Sequence, residues 1–533
     1  MRTERLLVFA TLCISLCAAP VVQAQTGALD PTFNNTGYVI QQVNGRDAVQ
    51  KILVQDDGKI LSIGMSWDDT FTARAYVFRY MPDGTPDAEF GDNGMFMQEL
   101  DNEALLHSAL ITHAGKILLA GSTTDYQTYR MMLIQLNADG TPDDSFGTNG
   151  IVLQSVSAVV ANAEDMIRDV TLDAQGNILV CGSSYDQNYV RRPVVVRFTP
   201  DGTLDTTFGV GGVATIPVMA VGSSAFEGIK IQPDGKIVAS GYFGETELWY
   251  TLLLVRFNAD GTLDDSFSAD GIVKHNHGNV DDAAYDLELT SDGSILVAGK
   301  TVTVTYNYSA LLMKFTPAGE VDASFGDAGA VEEDLDDFDY AWEIALQAGG
   351  RIIMAGTSGD GPPNGFDLIV WKYMADGTPD MTFGNSGSIQ HVIPNYSTMI
   401  YAMELQADGK ILIGGQARVV SANNNSFFTA RLENDLTSGI GGPSVAGSAQ
   451  TFPNPAVAGS EVMVQFPEDV QPGARLNLYN AKGQLVHAAQ VGQLQRTARS
   501  VNFQLPADLA PGVYQLALQQ AGARLGSTIL ITK

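Results

Sequence analysis

Carboxylates are the commonest groups in this chain that could do chemistry, since 60 Asp and Glu stand against 30 Lys and Arg. The densest cluster lies within residues 332–339, where oxygen ligands could hold calcium. It lacks the glycine-punctuated spacing of a calcium loop, so a solvated acidic loop is the alternative. His275 and His277 stand close to Asp281 and Asp282, which fits either a metal site or an exposed polar loop. The sequence therefore predicts no cofactor, and calcium is left as an alternative.

Motifs for nucleophilic catalysis and for nucleotide binding are missing. The sequence has no H-E-x-x-H, no G-x-S-x-G, no phosphate loop and no dinucleotide fingerprint. A carboxylate pair of the glycosidase kind would be assembled by folding and leaves no linear pattern. We therefore predict no catalytic residue, while an enzyme built on carboxylates stays open.

Aromatic residues beside carboxylates form a second group of candidates. Tyr and Trp offer a large contact area with a polar handle, which suits sugars and peptides. The alternative is that many of these rings only pack within the fold. The candidate ligand-binding residues are Trp67, Tyr126, Tyr185, Tyr242, Trp249 and Tyr306.

Two phrases recur along the chain and must build the elements that position these side chains. The first, D-x-[ST]-F-G-x-x-G, has its phenylalanines at spacings of 57, 56, 62, 59, 58 and 58 residues. They are Phe33, Phe90, Phe146, Phe208, Phe267, Phe325 and Phe383. The second, close to Q-x-D-G-K-I-L-x-x-G, has turn glycines at Gly58, Gly115, Gly176, Gly235, Gly293, Gly350 and Gly409. Two independent phrases thus keep one period through seven copies.

Each copy holds four short runs of Val, Ile, Leu and aromatic residues bounded by Gly, Asp and Asn, as β-strands do. Four antiparallel strands at this period are typical of a propeller blade, and a β-solenoid, with shorter coils, is the alternative. We therefore predict an all-β chain in which residues 25–436 form a seven-bladed β-propeller. Its repeated turns fall on one face and its variable loops on the other, and ligands are expected at the variable loops.

The ends of the repeat array predict how the propeller closes. Residues 25–43 contain one strand with no three strands before it, whereas residues 400–433 contain three strands with no fourth. The first strand of the chain should therefore complete the last blade, which leaves no open sheet edge.

A basic or amide residue stands eleven positions before the repeated Phe, and in six copies it precedes an Asp by eight positions. We predict a loop-stapling pair between the two side chains, of about 0 to 1 kcal/mol where it is exposed. The repeated Phe should plug the space between blades, at about 1.5 to 3 kcal/mol each. The residues of the first kind are Arg79, Gln135, Arg197, Arg256, Lys314, Lys372 and, in the last copy, Arg431.

The phrases G-A-L-D-P-T-F, D-G-T-P-D-D-S-F-G and Q-P-D-G-K-I resemble the delta-60 repeat, a β-propeller repeat of bacterial surface and secreted proteins. The resemblance covers about residues 28–436. It implies the propeller fold and carries no activity.

The beginning of the chain predicts export. Residues 1–24 combine Arg2 and Arg5, an apolar run and a small-residue cleavage site, as in a secretory signal peptide. Its removal would leave Cys181 as the single cysteine and no internal disulfide. No later apolar stretch approaches the roughly 20 residues of a membrane-spanning helix. The net charge of −30 argues against nucleic acid as a partner, because phosphate binding needs a basic surface.

The composition changes after the repeats. Residues 437–450 have the composition of a flexible linker, and residues 451–533 alternate apolar and polar residues as in a small immunoglobulin-like β-sandwich. Four landmarks, F-P-N-P, L-N-L-Y-N-A-K-G, L-A-P-G-V-Y and the terminal lysine, resemble the C-terminal sorting domain of the type IX secretion system of Bacteroidota. Asn480 stands where that family often has Asp. The motif residues are Pro453, Asn454, Pro455, Gly483, Gly512 and Tyr514.

This resemblance implies that residues 451–533 engage the type IX secretion machinery, so that the protein is secreted or displayed on the outer membrane. An ordinary adhesion sandwich is the alternative. The function we predict is noncatalytic binding or adhesion through a glycan or peptide ligand. A secreted carbohydrate-active hydrolase or lyase, using carboxylates around the channel, is the alternative function.

Overall fold

The computed structural model describes residues 26–532 except 101, 158–162, 218–221, 247–248, 278–279, 362–364, 420–423, 435–449, 453–455, 466–474, 480–484, 491–499, 508, 510–511 and 521–522. The predicted signal peptide, residues 1–24, lies outside the described residues. So does the predicted linker 437–450 apart from Gln450. The described chain is all-β, with one 3-10 turn at Ala348–Gly350.

Twenty-eight strands form seven four-stranded blades. Strand β1 covers Tyr38–Gln41. Blade 1 contains β2 (Asp47–Val54), β3 (Ile60–Trp67), β4 (Ala73–Tyr80) and β5 (Met95–Gln98). Blade 2 contains β6 (Glu103–Ile111), β7 (Ile117–Thr124), β8 (Tyr129–Leu136) and β9 (Ile151–Gln154). Blade 3 contains β10 (Met166–Leu172), β11 (Ile178–Tyr185), β12 (Arg191–Phe198) and β13 (Val213–Thr215). Blade 4 contains β14 (Ala225–Ile231), β15 (Ile237–Gly244), β16 (Tyr250–Phe257) and β17 (Ile272–His275). Blade 5 contains β18 (Asp281–Leu289), β19 (Ile295–Val302), β20 (Tyr308–Phe315) and β21 (Ala330–Glu333). Blade 6 contains β22 (Phe338–Leu346), β23 (Ile352–Gly361), β24 (Gly365–Tyr373) and β25 (Ser388–His391). Blade 7 contains β26 (Tyr396–Leu405), β27 (Ile411–Val419) and β28 (Asn425–Leu432), together with β1. In each blade the strand that comes first after the preceding blade is the innermost one.

The first strand of the chain completes blade 7, as predicted. β1 pairs antiparallel with β28, and Tyr38 lies opposite Ala430 while Ile40 lies opposite Phe428. Apolar side chains then join blade 7 to blade 1, where Val49 of β2 and Phe427 of β28 belong to one buried cluster. The ring of seven blades is therefore closed, and the predicted propeller is confirmed.

The repeated phenylalanines lie between neighbouring blades, with relative exposures of 0 to 1%. Each belongs to one of seven apolar clusters, and each cluster joins two adjacent blades. Phe208, for example, packs beneath Gly261 in the turn of the following blade, where a Cβ atom would lie 3.0 Å from its ring. That glycine has a positive φ of 87°, so the turn needs glycine for its backbone as well as for its space.

Seven side chains fasten the loop between the third and fourth strands of each blade; we call them the blade staples. Arg79 Nε donates to Asp87 Oδ2 at 2.7 Å, and the equivalent contacts in blades 2 to 6 span 2.6 to 3.9 Å. In blade 7, Arg431 Nε donates to Asp30 at 2.6 Å across 401 residues of sequence. The last staple therefore joins the two ends of the propeller. The blade staples are Arg79, Gln135, Arg197, Arg256, Lys314, Lys372 and Arg431.

The C-terminal part forms two sheets. One contains β29 (Gln450–Phe452), β31 (Glu461–Gln465) and β34 (Ser500–Gln504). The other contains β30 (Ala456–Val457), β32 (Arg475–Tyr479), β33 (Leu485–Gln490), β35 (Gly512–Gln520) and β36 (Ala523–Thr532). Val464 of β31 and Leu476 of β32 are fully buried in one shared apolar cluster, which agrees with the predicted sandwich. Within the part of the chain that the structure describes, no helix has the length and apolarity needed to span a bilayer.

Candidate functional site in the central channel

The glycine that ends the second repeated phrase shapes the inner strand of every blade. In blade 4, a Cβ atom on Gly241 of β15 would lie 2.1 Å from the carbonyl oxygen of Ala225 on β14, so only glycine fits. The inner strand bulges directly beyond this contact, between Phe226 and Gly228. The same approach, at 1.7 to 2.1 Å, and the same bulge recur in all seven blades. The seven glycines are Gly64, Gly121, Gly182, Gly241, Gly299, Gly356 and Gly415.

The bulge presents one extra residue of each inner strand to the central channel. These seven residues, here called the channel ring, line a cavity of about 320 Å³. No two neighbouring blades contribute the same residue type. In blade order, the channel ring consists of Gln50, His107, Arg168, Glu227, Tyr285, Trp342 and Tyr401.

The channel ring divides into a polar arc from blades 1 to 4 and an aromatic arc from blades 5 to 7. Tyr285 and Trp342 stack, with ring centroids 4.4 Å apart and planes 22° apart. Tyr401 meets Trp342 edge to face at 5.8 Å. Both geometries are favourable for aromatic pairs. The cavity therefore has an apolar wall facing a wall of hydrogen-bonding groups.

Two groups of the polar arc, Glu227 and His107, have shifted pKa values. Burial raises the pKa of Glu227, against the opposing charges of Arg168 and Arg191. Arg168 Nε lies 3.5 Å from Glu227 Oε2. Burial also lowers the pKa of His107 to about 3, and Arg168 adds to that fall. His107 is therefore neutral near pH 7 and can act as a hydrogen-bond donor or acceptor.

Three buried polar atoms of the channel ring have no hydrogen-bond partner among the described residues. They are His107 Nε2, Arg168 Nε and Trp342 Nε1. Buried polar groups in proteins are normally paired, and the Arg and Trp atoms can only donate. The walls thus present unused hydrogen-bonding capacity next to an aromatic surface.

An ion pair and a lone carboxyl lie near the cavity. Lys51 Nζ of blade 1 contacts Glu343 Oε1 of blade 6 at 2.8 Å, which links two blades that are not adjacent. Burial raises the pKa of Glu343 even though Lys51 draws it down. Burial raises the pKa of Glu404 to about 7, against the nearby charges of Lys51 and Lys230. The Glu404 carboxyl therefore changes its protonation state near neutral pH.

Two aspartates close to the cavity connect neighbouring blades. Asp169 accepts a hydrogen bond from Ser108 Oγ at 2.7 Å and one from the Ile229 amide at 3.1 Å. Asp286 accepts the Ile344 amide at 3.0 Å. Each amide lies two residues beyond a bulge, in the following blade. These carboxylates are thus engaged in holding the blades together.

Comparison with known proteins identifies the repeat. Seven segments match the family model described as "Domain of unknown function (DUF5122) beta-propeller": residues 55–90, 115–146, 176–208, 232–267, 290–325, 347–383 and 406–437. The chain carries seven DUF5122 beta-propeller repeats. The first six matched segments begin at or just before the turn glycine of the second phrase and end at the repeated Phe, whereas the seventh begins at the equivalent turn and ends at Thr437. The DUF5122 description names a fold and no activity.

A curated relative matches only a small part of the chain. A stretch of 75 residues is 29% identical to imidazole glycerol phosphate synthase subunit HisF of Prochlorococcus marinus (strain MIT 9211). The match covers 14% of this chain and 29% of that protein. This share is too small to transfer the activity of HisF to this chain.

Solved structures with similar architecture have low scores. A fungal alcohol oxidase of the AA5 family has a TM-score of 0.44 at 12% identity, with 96% of this chain and 100% of that chain covered. A PL25 ulvan lyase scores 0.42 at 10% identity, with 74% and 94% covered. The β-propeller domain of the Trilobed protease from Pyrococcus furiosus scores 0.39 at 10% identity, with 74% and 97% covered. Scores of this size support no inference about activity.

The six aromatic residues predicted as ligand-binding lie at separate places on the DUF5122 propeller. Tyr126, Trp249 and Tyr306 are 57%, 37% and 66% exposed. Trp67 lines a cavity of about 510 Å³ and Tyr185 another of about 460 Å³. The structure therefore does not bring these residues into one site, and their role in ligand binding stays a prediction.

Tyr242 is connected to the channel ring. It hydrogen-bonds with Arg191 and interacts electrostatically with Glu227. Arg191 also pairs with Glu164, a neighbour of Tyr185. This network connects a predicted aromatic residue to the polar arc.

One carboxylate of the acidic cluster 332–339, which was considered as a calcium site, binds backbone amides. Asp339 Oδ2 accepts the Leu335 amide at 2.6 Å and the Asp336 amide at 3.0 Å. Asp282, which was considered with His275 and His277 as a metal site, accepts the His277 amide at 2.7 Å in the same way. Among the described residues, no three His, Cys, Asp or Glu side chains gather as a metal site. Calcium binding stays an untested alternative.

The sequence prediction placed none of the channel ring residues in a site, although a signal existed. Every ring residue stands eight positions before the turn glycine of its repeat, as Gln50 does before Gly58 and Glu227 before Gly235. When the DUF5122 repeats are aligned on that glycine, this column holds large polar or aromatic residues and changes from copy to copy.

The predicted sorting motif is only partly described. Pro453, Asn454, Pro455 and Gly483 lie outside the described residues. Gly512 begins β35, and Tyr514 of that strand is buried in the core of the C-terminal domain.

Proposed function

We propose that this protein is an exported, noncatalytic binding propeller that holds a glycan in its central channel. The channel ring carries the proposal, because its seven equivalent positions present side chains of six residue types around one cavity. The aromatic arc offers faces on which a sugar ring can pack. The polar arc offers groups that can bond to hydroxyls.

The charges near the cavity favour a hydroxyl-rich ligand over a strongly charged one. Lys51 and Glu343 neutralise each other at 2.8 Å, and Arg168 lies beside Glu227. Asp169 and Asp286 accept backbone amides. A sugar hydroxyl both donates and accepts, so it can bond to the Arg168 Nε and Trp342 Nε1 donors, which make no hydrogen bond among the described residues, as well as to a carboxylate oxygen.

Binding is tested with the full chain on an array of glycans and peptides, followed by titration of any hit. Trp342→Ala removes the centre of the aromatic arc and should weaken binding at least tenfold. Tyr306→Ala, at an exposed loop, is the matched control and should leave affinity unchanged. The reverse pattern would move the site to the variable loops.

The C-terminal domain is proposed to direct export through the type IX secretion system. The support is the order of its sequence landmarks together with a predicted signal peptide. Secretion of the full chain is compared with that of a chain lacking residues 451–533. The shortened chain should accumulate in the periplasm, and undiminished secretion would refute the sorting role.

A carbohydrate-active lyase or hydrolase is the second candidate. His107, Glu227 and Tyr285, three groups able to exchange protons, line the same cavity, and burial raises the pKa of Glu227. Product formation from a bound glycan, abolished by Glu227→Gln, would establish catalysis and overturn the binding-only proposal.

A further inference from the structure

On the face of the repeated turns, four arginine staples reach from their own blade into the next one. Besides its Asp, each guanidinium donates to a backbone carbonyl of the following blade. Arg79 reaches Ala138 O at 2.6 Å, and Arg197 reaches Ala259 O at 2.8 Å. The other two contacts are Arg256 to Pro317 O at 2.6 Å and Arg431 to Pro82 O.

The same guanidinium groups also lie over the repeated phenylalanines. The Arg79 carbon Cζ is 4.6 Å from the centroid of Phe90, and that of Arg197 is 4.6 Å from Phe208. Each guanidinium group is therefore bound by the aromatic face of the repeated Phe of its own blade and by a carbonyl oxygen of the next blade.

Blade 2 has glutamine at this position. Gln135 Nε2 donates to Asp143 at 2.7 Å. A carboxamide has a single nitrogen, so the side chain has no second donor nitrogen that could reach blade 3. A cavity of about 440 Å³ lies there, lined by Gln135, Ser145, Phe146 and Pro200 among others. Pro200 holds the position in blade 3 that Ala138, Ala259 and Pro317 hold in theirs.

From this geometry we infer that the cavity between blades 2 and 3 binds the guanidinium group of an arginine side chain presented by a peptide. The group would lie over Phe146 and donate to the Pro200 carbonyl, as the protein's own arginines do elsewhere. Ser145 offers a further acceptor, since Arg256 NH2 donates to the equivalent Ser266 at 3.3 Å. The net charge of −30 favours the approach of cationic peptides.

The lysine beside the cavity does not exclude a second cation. Lys116 pairs with Asp143, and in blade 1 the equivalent Lys59 pairs with Asp87 at 2.9 Å while Arg79 is also present. One aspartate therefore accommodates a lysine and a guanidinium at the same time.

Saturation-transfer NMR with the full chain tests the site. The probes are the tripeptide acetyl-Gly-Arg-Gly-amide, the small guanidine agmatine, and acetyl-Gly-Lys-Gly-amide as an ammonium control. The arginine peptide should bind saturably and the lysine peptide at least tenfold more weakly. If agmatine bound and the arginine peptide did not, the result would contradict a peptide ligand.

Two variants decide whether the cavity is responsible. Gln135→Arg supplies the missing guanidinium from the protein itself and should abolish binding of the arginine peptide. Arg197→Gln should open the equivalent cavity between blades 3 and 4 and add a second site. Arginine-peptide binding that persists in Gln135→Arg, or no saturable binding by the unmodified chain, would overturn the inference. Neither result bears on glycan binding in the channel.

Discussion

The blade staples and the channel ring are two sets of seven residues that obey the same sevenfold repeat and differ in almost everything else. Six of the seven staples are Arg or Lys, and all seven contact an Asp. The channel ring contains six residue types at seven positions. In a repeat protein, a position that must do the same structural work in every copy keeps its residue type. A position whose residue type varies among the copies is free to form an asymmetric site.

The two sets also differ in how burial acts on their carboxylates. At the staple Asp264, burial alone would raise the pKa, but hydrogen bonds from Lys236, Ser266 and Arg256 outweigh it and lower the pKa. In the channel, the effect of burial exceeds that of the nearby cations, and the pKa values of Glu227 and Glu404 are raised. The staple carboxylates therefore favour the charged state, whereas burial shifts the two channel carboxyls towards the protonated state.

The largest effect is expected at the repeated phenylalanine that accompanies each staple. Phe208→Ala leaves a cavity between blades 3 and 4 and should lower the free energy of unfolding by about 3 to 5 kcal/mol. Thermal or denaturant unfolding measures it. Phe208→Leu, the control, should cost clearly less, and an unchanged melting temperature for the alanine variant would remove Phe208 from the core.

The closing staple should matter more than the others. Asp30 is fully buried and accepts bonds from Arg431 and Lys410, both at 2.6 Å, so Asp30→Asn should cost about 3 kcal/mol. Asp205, whose pair with Arg197 is partly exposed at 2.8 Å, is the matched position, and Asp205→Asn should cost about 1 kcal/mol. Equal losses of unfolding free energy in the two variants would show that joining the two ends of the propeller does not make a staple more stabilising.

The opposite pKa shifts predict opposite pH dependence. The lowered pKa values of the staple aspartates give stability that is present above about pH 4 and is lost as the pH falls below it. The raised pKa of Glu404, about 7, favours the folded state below about pH 4, and this contribution is lost as the pH rises towards 7. Glu404→Gln should therefore flatten the unfolding free energy between pH 5 and 7, by up to about 1.4 kcal/mol per pH unit. An unaltered slope would place the neutral-pH titration elsewhere.

The smallest effect on stability is expected within the channel ring. His107 Nε2 has no hydrogen-bond partner among the described residues, so His107→Ala should change the free energy of unfolding by less than about 1 kcal/mol. Its effect should appear instead as weaker binding of any glycan that the array identifies. A large loss of stability with unchanged binding would make the channel ring a structural feature like the staples.

The propeller was predictable from the sequence because its determinants are local and repeated. The Asp-Gly turns, the Phe plugs and the eight-residue spacing from staple to Asp all lie within one repeat, and even the pairing of β1 with β28 followed from counting strands at the two ends. The partner of Arg431 was not predicted, because Asp30 lies 401 residues away.

The channel site was not predictable in the same way. Its residues come from seven inner strands, and a bulge turns each of them towards the channel. The bulge leaves one mark in the sequence, the glycine at the end of the second phrase, which is also compatible with an ordinary strand end. Residues such as Tyr285 and Trp342 stand out only when the copies are aligned and their differences are compared.

The pairing of β1 with β28 has a consequence for the order of assembly. Because synthesis starts at the N-terminus, β1 is made first and β28 only after the strands of six blades. Blade 7 therefore cannot form during most of synthesis, and the N-terminal strand stays without its partner until then. The ring therefore closes late, and its last blade contains strands from both ends of the propeller. Truncation at either end of the propeller removes a strand from that same blade.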